Sequence, residues 1–394
     1  VSGVENEGLL GRLRRCFGFD LHAEKGGVVE IDDFLRMLVE QRGSDLHVKT
    51  GSSACVRVNG HLLPLSDRTL TPEEVEHWAF YIMPKKLSEE FRQSNEADFA
   101  YSISGIGRFR VNAFRQRGTV GMVFRRVQSA IPDITALGLP PIVGNLADER
   151  RGLVLVTGPT GSGKTTTLAS MIDRINQTRR CHIVTIEDPI EVIHTDKLAL
   201  VSQREIGMDT KDFATAMKRV LRQDPDVILV GEMRDPETVW AALAASETGH
   251  FVLSTLHTTD AQESVNRLID FFPSAQQKQV RLSLAGALRG VVSQRLAPLS
   301  DGQGRTPIVE VMVTTGRIFD AIVDPEKTNS LHELIKEGEY YGMQTFDQAV
   351  YDLFVNGRIT IQDALSSCSH PHDLKIMLQQ SGVMRNAEGT AVSL

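Results

Sequence analysis

One stretch of this chain has the residue types and spacing that phosphate chemistry requires. Gly158-Pro159-Thr160-Gly161-Ser162-Gly163-Lys164-Thr165 has the form G-x-x-x-x-G-K-T and runs on into Thr166. Glycines at these positions let backbone N–H groups turn in around phosphate oxygens. The lysine then meets the β- and γ-phosphates, and the hydroxyl of Thr165 ligates Mg²⁺. The context fits: an apolar run over residues 153–157 precedes the loop and a helical stretch over 165–176 follows it. A nucleoside triphosphate with Mg²⁺ is the ligand this predicts.

Hydrolysis needs further groups. Val227-Ile228-Leu229-Val230-Gly231-Glu232 is an apolar run ending in a carboxylate. In the simplest topology this strand lies beside the P-loop strand. Glu232 would then hold the magnesium shell or polarise water; the plain alternative is a glutamate capping a helix. Ile186-Glu187-Asp188-Pro189-Ile190-Glu191 ends another strand run. Clustered carboxylates repel unless a metal or cation offsets them, so this segment is either the source of a catalytic base or a solvated turn fixed by Pro189. His250 and His257 flank the run 251–255. Their spacing is no metal motif, which leaves a γ-phosphate sensor or two structural histidines.

A second constellation is basic. Arg108-Phe109-Arg110-Val111-Asn112 alternates, so Arg108, Arg110 and Asn112 share a face. A turn near Arg117-Gly118 would set Arg125 opposite Arg110, and facing like charges are destabilising unless something anionic lies between them. A nucleotide phosphate, reached from this domain or from a neighbouring subunit, would serve; an exposed basic hairpin is the other reading.

The elements that position these groups follow from pattern and punctuation. Residues 1–30 form an extension in which Leu9, Leu10, Leu13 and Phe17 could share a helical face. Residues 31–130 read as a small α/β domain, with a helix over 32–41, short strands, a hairpin at Asn59-Gly60 and helices opening near Pro72 and Pro84. A linker at 131–150 contains Pro132, Gly138, Pro140 and Pro141. From 151 to 380 apolar strand runs alternate with helices, which predicts βαβ units and a largely parallel buried sheet, with the last hundred residues mainly helical. Residues 381–394 form a tail.

Length and composition bound the rest. The 394 residues suffice for two cores, and the net charge of −7 leaves no broad footprint for nucleic acid. Cys16, Cys55, Cys181 and Cys368 form no CxxC pair, which points to a reducing compartment and away from structural zinc. No apolar run has membrane-spanning length and no signal peptide is visible, so a cytoplasmic protein is expected.

Taken in order, residues 158–166, 186–191, 221–235 and 247–258 resemble the four signature stretches of the secretion-ATPase superfamily of type II secretion and type IV pilus motors. The resemblance covers about residues 31–380. The absence of a four-cysteine element after the histidine stretch and the segment Gly342-Met343-Gln344-Thr345-Phe346-Asp347 make it most similar to the pilus-retraction branch. It implies a PAS-like first domain, a RecA-like second domain with a helical C-terminal part, and a homo-hexameric ATPase using ATP and Mg²⁺. It further implies Glu191 as catalytic base, Glu232 as the Walker B carboxylate, and His257 with His250 at the nucleotide. Arg110 and Arg125 match arginines that the family's first domain brings to it. The implied partners are an inner-membrane pilus platform protein at the inner face of the cytoplasmic membrane, and a paralogous retraction ATPase. The competing readings are a nucleic-acid translocase or DNA-uptake ATPase, which would be stimulated by DNA, and an accessory ring subunit; no stable nucleic-acid partner is expected.

Overall fold

The computed structural model describes residues 30–380 except 59 and 129. The extension with its Leu9–Phe17 face and the tail 381–394 lie outside the described residues. The chain divides into two compact units between Val127 and Gln128.

In the first unit, α1 (Ile31–Glu40) turns Phe34, Leu35 and Leu38 inward. Strands β1 (Asp45–Lys49), β2 (Cys55–Val58) and β3 (His61–Pro64) follow, then helices α2 (Pro72–Ile82) and α3 (Lys85–Ser94). Thr71 and Glu74 form a reciprocal capping box at α2, with Pro72 in the first turn where its missing N–H costs nothing. Strands β4 (Glu96–Ile103), β5 (Gly107–Gln116) and β6 (Thr119–Arg126) complete an antiparallel sheet of order β3-β2-β1-β6-β5-β4. Alternation on β5 sends Phe109, Val111 and Ala113 into a core shared with Trp78, Phe91 and Phe124. Arg117 (φ 50°) and Gly118 (φ 78°) both have positive φ, the geometry of the tight turns that match strand twist, and this sets Arg110 opposite Arg125 as the alternation predicts.

The second unit opens differently from the expected linker. Helix α4 (Pro141–Ala147) occupies much of 131–150, with Val143, Leu146 and Ala147 buried in the second unit's core. Proline-rich spacing marked the break in pattern there, but apolar burial makes it part of the domain. The βαβ series is β7 (Gly152–Thr157), α5 (Lys164–Thr178), β8 (His182–Glu187), β9 (Leu200–Glu205), α6 (Phe213–Val220), β10 (Val227–Val230), α7 (Pro236–Glu247), β11 (Phe251–Leu256), α8 (Ala261–Asp270) and α9 (Ser274–Ala287). A long antiparallel hairpin follows, β12 (Leu288–Pro298) and β13 (Arg305–Val313). The chain then becomes helical: α10 (Gly316–Val323), α11 (Leu331–Lys336), α12 (Phe346–Val355), α13 (Ile361–Ser367) and α14 (Pro371–Gln380).

The second sheet has the order β13-β12-β7-β11-β10-β8-β9, parallel apart from β13. Every residue of β7 is buried. Leu153 and Leu155 join one core cluster, Val154 and Val156 the other, as a strand covered on both faces requires. Two expectations change here. The strand bearing Glu232 does not lie beside the P-loop strand: β11 is inserted between them. The β12–β13 hairpin also replaces the first part of the stretch expected to be helical, because its apolar alternation finds a partner edge at β7.

Candidate active site

The P-loop leaves the buried end of β7 and enters α5. Gly158 has φ 137°, and a Cβ there would lie 2.3 Å from the carbonyl oxygen of Gln294 and 2.7 Å from Ser162 Oγ, so only glycine fits. Gly163 (φ 94°) makes the left-handed step into α5. The first-turn amides of that helix have no intrahelical acceptor, which makes this end a ready anion site. Lys164 is folded back on the loop: its ammonium donates to the carbonyls of Gly158 (2.7 Å) and Pro159 (3.0 Å). Burial pulls its pKa down, opposed by the carboxylates of Glu232 and Glu191. Ser162 Oγ is buried without a hydrogen-bond partner among the described residues. Glycine cradle, buried lysine and orphaned hydroxyl together suit a polyphosphate.

Above the loop lies a cavity of about 550 Å³, within the range that holds small-molecule ligands. Thr160, Gly161, Gly163, Lys164, Thr165 and Thr166 line one side of it. Glu191, Glu232 and His257 line it from the carboxyl ends of β8, β10 and β11, the edge at which open α/β sheets hold ligands. Glu232 reaches the cavity although its strand is not adjacent to β7. Its Oε1 pairs with Arg234 Nη2, and its Oε2 lies 3.6 Å from His257 Nε2. Gly158, Pro159 and Ser162 stand behind this lining as the loop's frame.

The carboxylate cluster is sorted by environment. Glu187 is buried, and loss of solvent pushes its pKa up against the hydrogen bonds it accepts from Thr185 Oγ1 (2.6 Å), Gln203 Nε2 (3.1 Å) and the Glu191 backbone N–H. Pro189 follows Asp188 through a cis peptide bond, and the chain then presents Glu191 to the cavity. A fixed carboxylate beside a phosphate cradle can take a proton from water.

Three sequence-derived candidates, His250, Arg110 and Arg125, are not among the residues that line this cavity. His250 sits at the opposite end of β11 from His257, where its Nδ1 lies 3.0 Å from the Ala245 carbonyl and 3.2 Å from Thr248 Oγ1. Six strand residues separate the two histidines, roughly 20 Å at the usual rise. His250 is therefore not at this chain's phosphate edge. Arg125 needs no ligand anion to offset Arg110: its Nε donates to Asp45 Oδ1 at 2.9 Å, from the neighbouring strand β1. Arg110 and Arg125 both belong to the first unit.

The cavity also contains groups that motif reading passed over. Arg234 follows Glu232 by two residues and His194 follows Glu191 by three, so spacing from a known motif could have found both. Burial pushes the His194 pKa down to about 4. Leu296 and Arg305 arrive on the β12–β13 hairpin, and nothing local in the sequence signals that.

Residues 23–321 match the family described as type II/IV secretion system protein. The type IV pilus ATPase PilU of Pseudomonas aeruginosa is 43% identical over 351 residues, 89% of this chain and 92% of that protein. The type IV pilus retraction ATPase PilT of the same organism is 41% identical over 345 residues, covering 88% and 100%. A crystal structure of the pilus retraction motor PilT with bound ADP is similar with a TM-score of 0.81 at 43% identity, covering 89% of this chain and all of that one. The chain belongs to the type II/IV secretion system protein family as an ATP-hydrolysing member of the PilT and PilU kind.

Proposed function

We propose that the chain is the subunit of a homo-hexameric motor that uses ATP hydrolysis to retract type IV pilus fibres. It would work on a platform protein at the inner face of the cytoplasmic membrane. The observation that carries this is the meeting of the P-loop, Glu191, Glu232 and His257 on one cavity, in a chain more than 40% identical to PilT and PilU over most of its length. Among the described residues no helix is long and apolar enough to cross a membrane, consistent with a peripheral motor.

ATP is the substrate. Lys164 moves from its loop carbonyls to the β- and γ-phosphates, and the first-turn amides of α5 take the remaining charge. Thr165 and Glu232 are the residues that would hold Mg²⁺. One hydroxyl and one carboxylate beside a phosphate cradle fit that ion, which takes its other ligands from phosphate and water; no group of three or more His, Cys, Asp or Glu side chains forms a protein-only cage among the described residues. When bound, Mg²⁺ neutralises charge on the phosphate oxygens. Glu191 accepts the proton of the attacking water, and His257, beside Glu232, senses or orients the γ-phosphate.

Steady-state ATP hydrolysis by the purified hexamer tests the chemistry, with wild type beside Glu191→Gln and with single- and double-stranded DNA added. Turnover that is lost in Glu191→Gln while ADP still binds, and is indifferent to DNA, supports the reading. Strong stimulation by DNA would replace it with a translocase. Expression in cells lacking their own retraction motor tests the cargo: restored twitching identifies a main motor, and restoration only beside a second motor identifies an accessory one.

A further inference from the structure

The backbone of the segment that carries Glu191 is tied down at several points, by Glu187, Glu205, the Gln128 carbonyl and, at two of its groups, the single side chain of Gln203. Gln203 lies on β9 at the edge of the sheet, paired with Thr185 in a parallel register that also sets Glu187 beside Glu205. Period two puts these four side chains on one face. Over that face passes the chain leaving β8. Gln203 Nε2 donates to the Val192 carbonyl (2.9 Å) and to Glu187 Oε1 (3.1 Å), while Gln203 Oε1 accepts from the His194 N–H (2.8 Å). Glu187 in turn accepts the Glu191 N–H. Beside this clamp, Ile190 N donates to Glu205 Oε2 at 3.2 Å.

We propose that Gln203 is a positioning residue for ATP hydrolysis: its carboxamide fixes the backbone just after Glu191 directly, at Val192 and His194, and steadies the Glu187 carboxylate that accepts the Glu191 N–H, and so holds the Glu191 carboxylate at the phosphate edge. The proposal rests on the reading of Glu191 as the base. Chemistry fixes the amide's orientation. Both its N–H groups face acceptors and its oxygen faces a donor; a flip would set oxygen against a carbonyl and a carboxylate, and N–H against N–H. A carboxamide is therefore required there, since no other side chain of this length offers two donors and an acceptor in one plane. Gln203 lines neither the P-loop nor the cavity, so its effect on the nucleotide is indirect.

The test measures kcat, KM for ATP, and binding of a fluorescent ADP analogue for full-length Gln203→Leu, Gln203→Glu and Glu191→Gln. Both Gln203 variants are expected to lose on the order of 100-fold in kcat, the scale of a misplacement near 1 Å. ADP affinity is expected to stay within about threefold, because the phosphate cradle is untouched. Gln203→Glu is the sharper variant: it keeps the length and shape but puts an acceptor against the Val192 carbonyl and the Glu187 carboxylate. If Gln203→Leu does not fold, the same comparison is made on Gln203→Glu alone. A wild-type kcat in the Gln203 variants, or a loss of ADP binding parallel to the loss of kcat, overturns the proposal. Should Gln203 variants turn over normally while Glu191→Gln is dead, only the clamp fails; if Glu191→Gln keeps wild-type turnover, the base assignment fails and takes the clamp with it.

Discussion

Glu232 and His257 meet across the ends of two adjacent parallel strands, with 3.6 Å between Oε2 and Nε2, while Arg234 takes the other carboxylate oxygen. Glu232 is thus held by the Arg234 guanidinium on one oxygen and faces the His257 imidazole with the other. The arrangement exists because β11 is inserted between β7 and β10, which brings the residue after β11 alongside the carboxylate that ends β10.

Residues that act as one unit give non-additive losses. Glu232→Gln and His257→Ala are each expected to lower kcat by on the order of 100-fold. The double variant should fall little below the worse single one. Full additivity in steady-state ATPase assays would mean that the two act separately and that their proximity carries no function.

Lys164 is kept in the fold at a cost. Its pKa is depressed by burial despite the nearby Glu232 and Glu191, so the native state disfavours the charged form. That cost is fully present below the folded-state pKa and is relieved as pH rises through it. Lys164→Met should therefore lose at least about 100-fold in nucleotide affinity while the ligand-free protein becomes more stable, by up to about 2 kcal/mol. Thermal melting at neutral pH without nucleotide checks the second half. A lower melting temperature would mean that the bonds to the Gly158 and Pro159 carbonyls outweigh desolvation.

The P-loop was legible because its backbone conformation leaves no choice of residue: the 2.3 Å approach at Gly158 excludes any side chain. Strands buried on both faces were legible for the same local reason, as in Val227–Val230. What sequence could not supply was the order of strands. Lateral order depends on which edges meet, and adjacency of β10 to β7 was the simplest guess rather than the correct one. His250 was misplaced by the same gap between chain and space: residues flanking a strand lie at opposite edges of its sheet. At Arg110 and Arg125 the local alternation gave the register, but the anion beside Arg125 comes from Asp45, eighty residues away in sequence and outside any local pattern.

That ion pair yields a prediction for the first unit. Burial raises the pKa of Asp45, yet hydrogen bonds from Ser44 and Arg125 and the charge of Arg125 outweigh it and leave the value lowered. A carboxylate depressed in this way stabilises the fold above its unfolded pKa, and the contribution is lost as pH falls through the folded value. Arg125→Ala should cost about 1 kcal/mol at neutral pH, since Asp45 keeps its Ser44 bond but loses its cation. The difference from wild type should vanish in acid. Urea melts in a series from pH 7 down to pH 2 measure it; a deficit that does not shrink toward the acid end would assign it to packing. Because of this structural role, loss of turnover in Arg125→Ala speaks for a nucleotide contact only if Arg110→Ala, which leaves Asp45 paired, shows the same loss.

Glu310 offers the clearest dependence on pH. It stands on β13, 3% exposed, and its Oε1 accepts the backbone N–H of Ala261 at 2.9 Å, tying the sheet edge to the start of α8 just after the His257 turn. Burial pushes its pKa up to about 7; the Ala261 bond and Arg295 work against the shift, while Asp260 and Asp347 add to it. An acid whose folded pKa exceeds its unfolded value binds more protons when folded, so its effect is to reduce stability as pH rises from about 4.5 to about 7. Glu310→Gln keeps an acceptor for Ala261 and removes the titration. The variant should be more stable than wild type at pH 8, by no more than about 3 kcal/mol, and the advantage should shrink toward pH 5. Paired denaturation curves across that range isolate the group, because the other titrating residues are common to both proteins. A wild type that gains on Glu310→Gln as pH rises would show that the carboxylate is stabilised in place, with Arg295 outweighing burial, and would reverse the sign of its contribution.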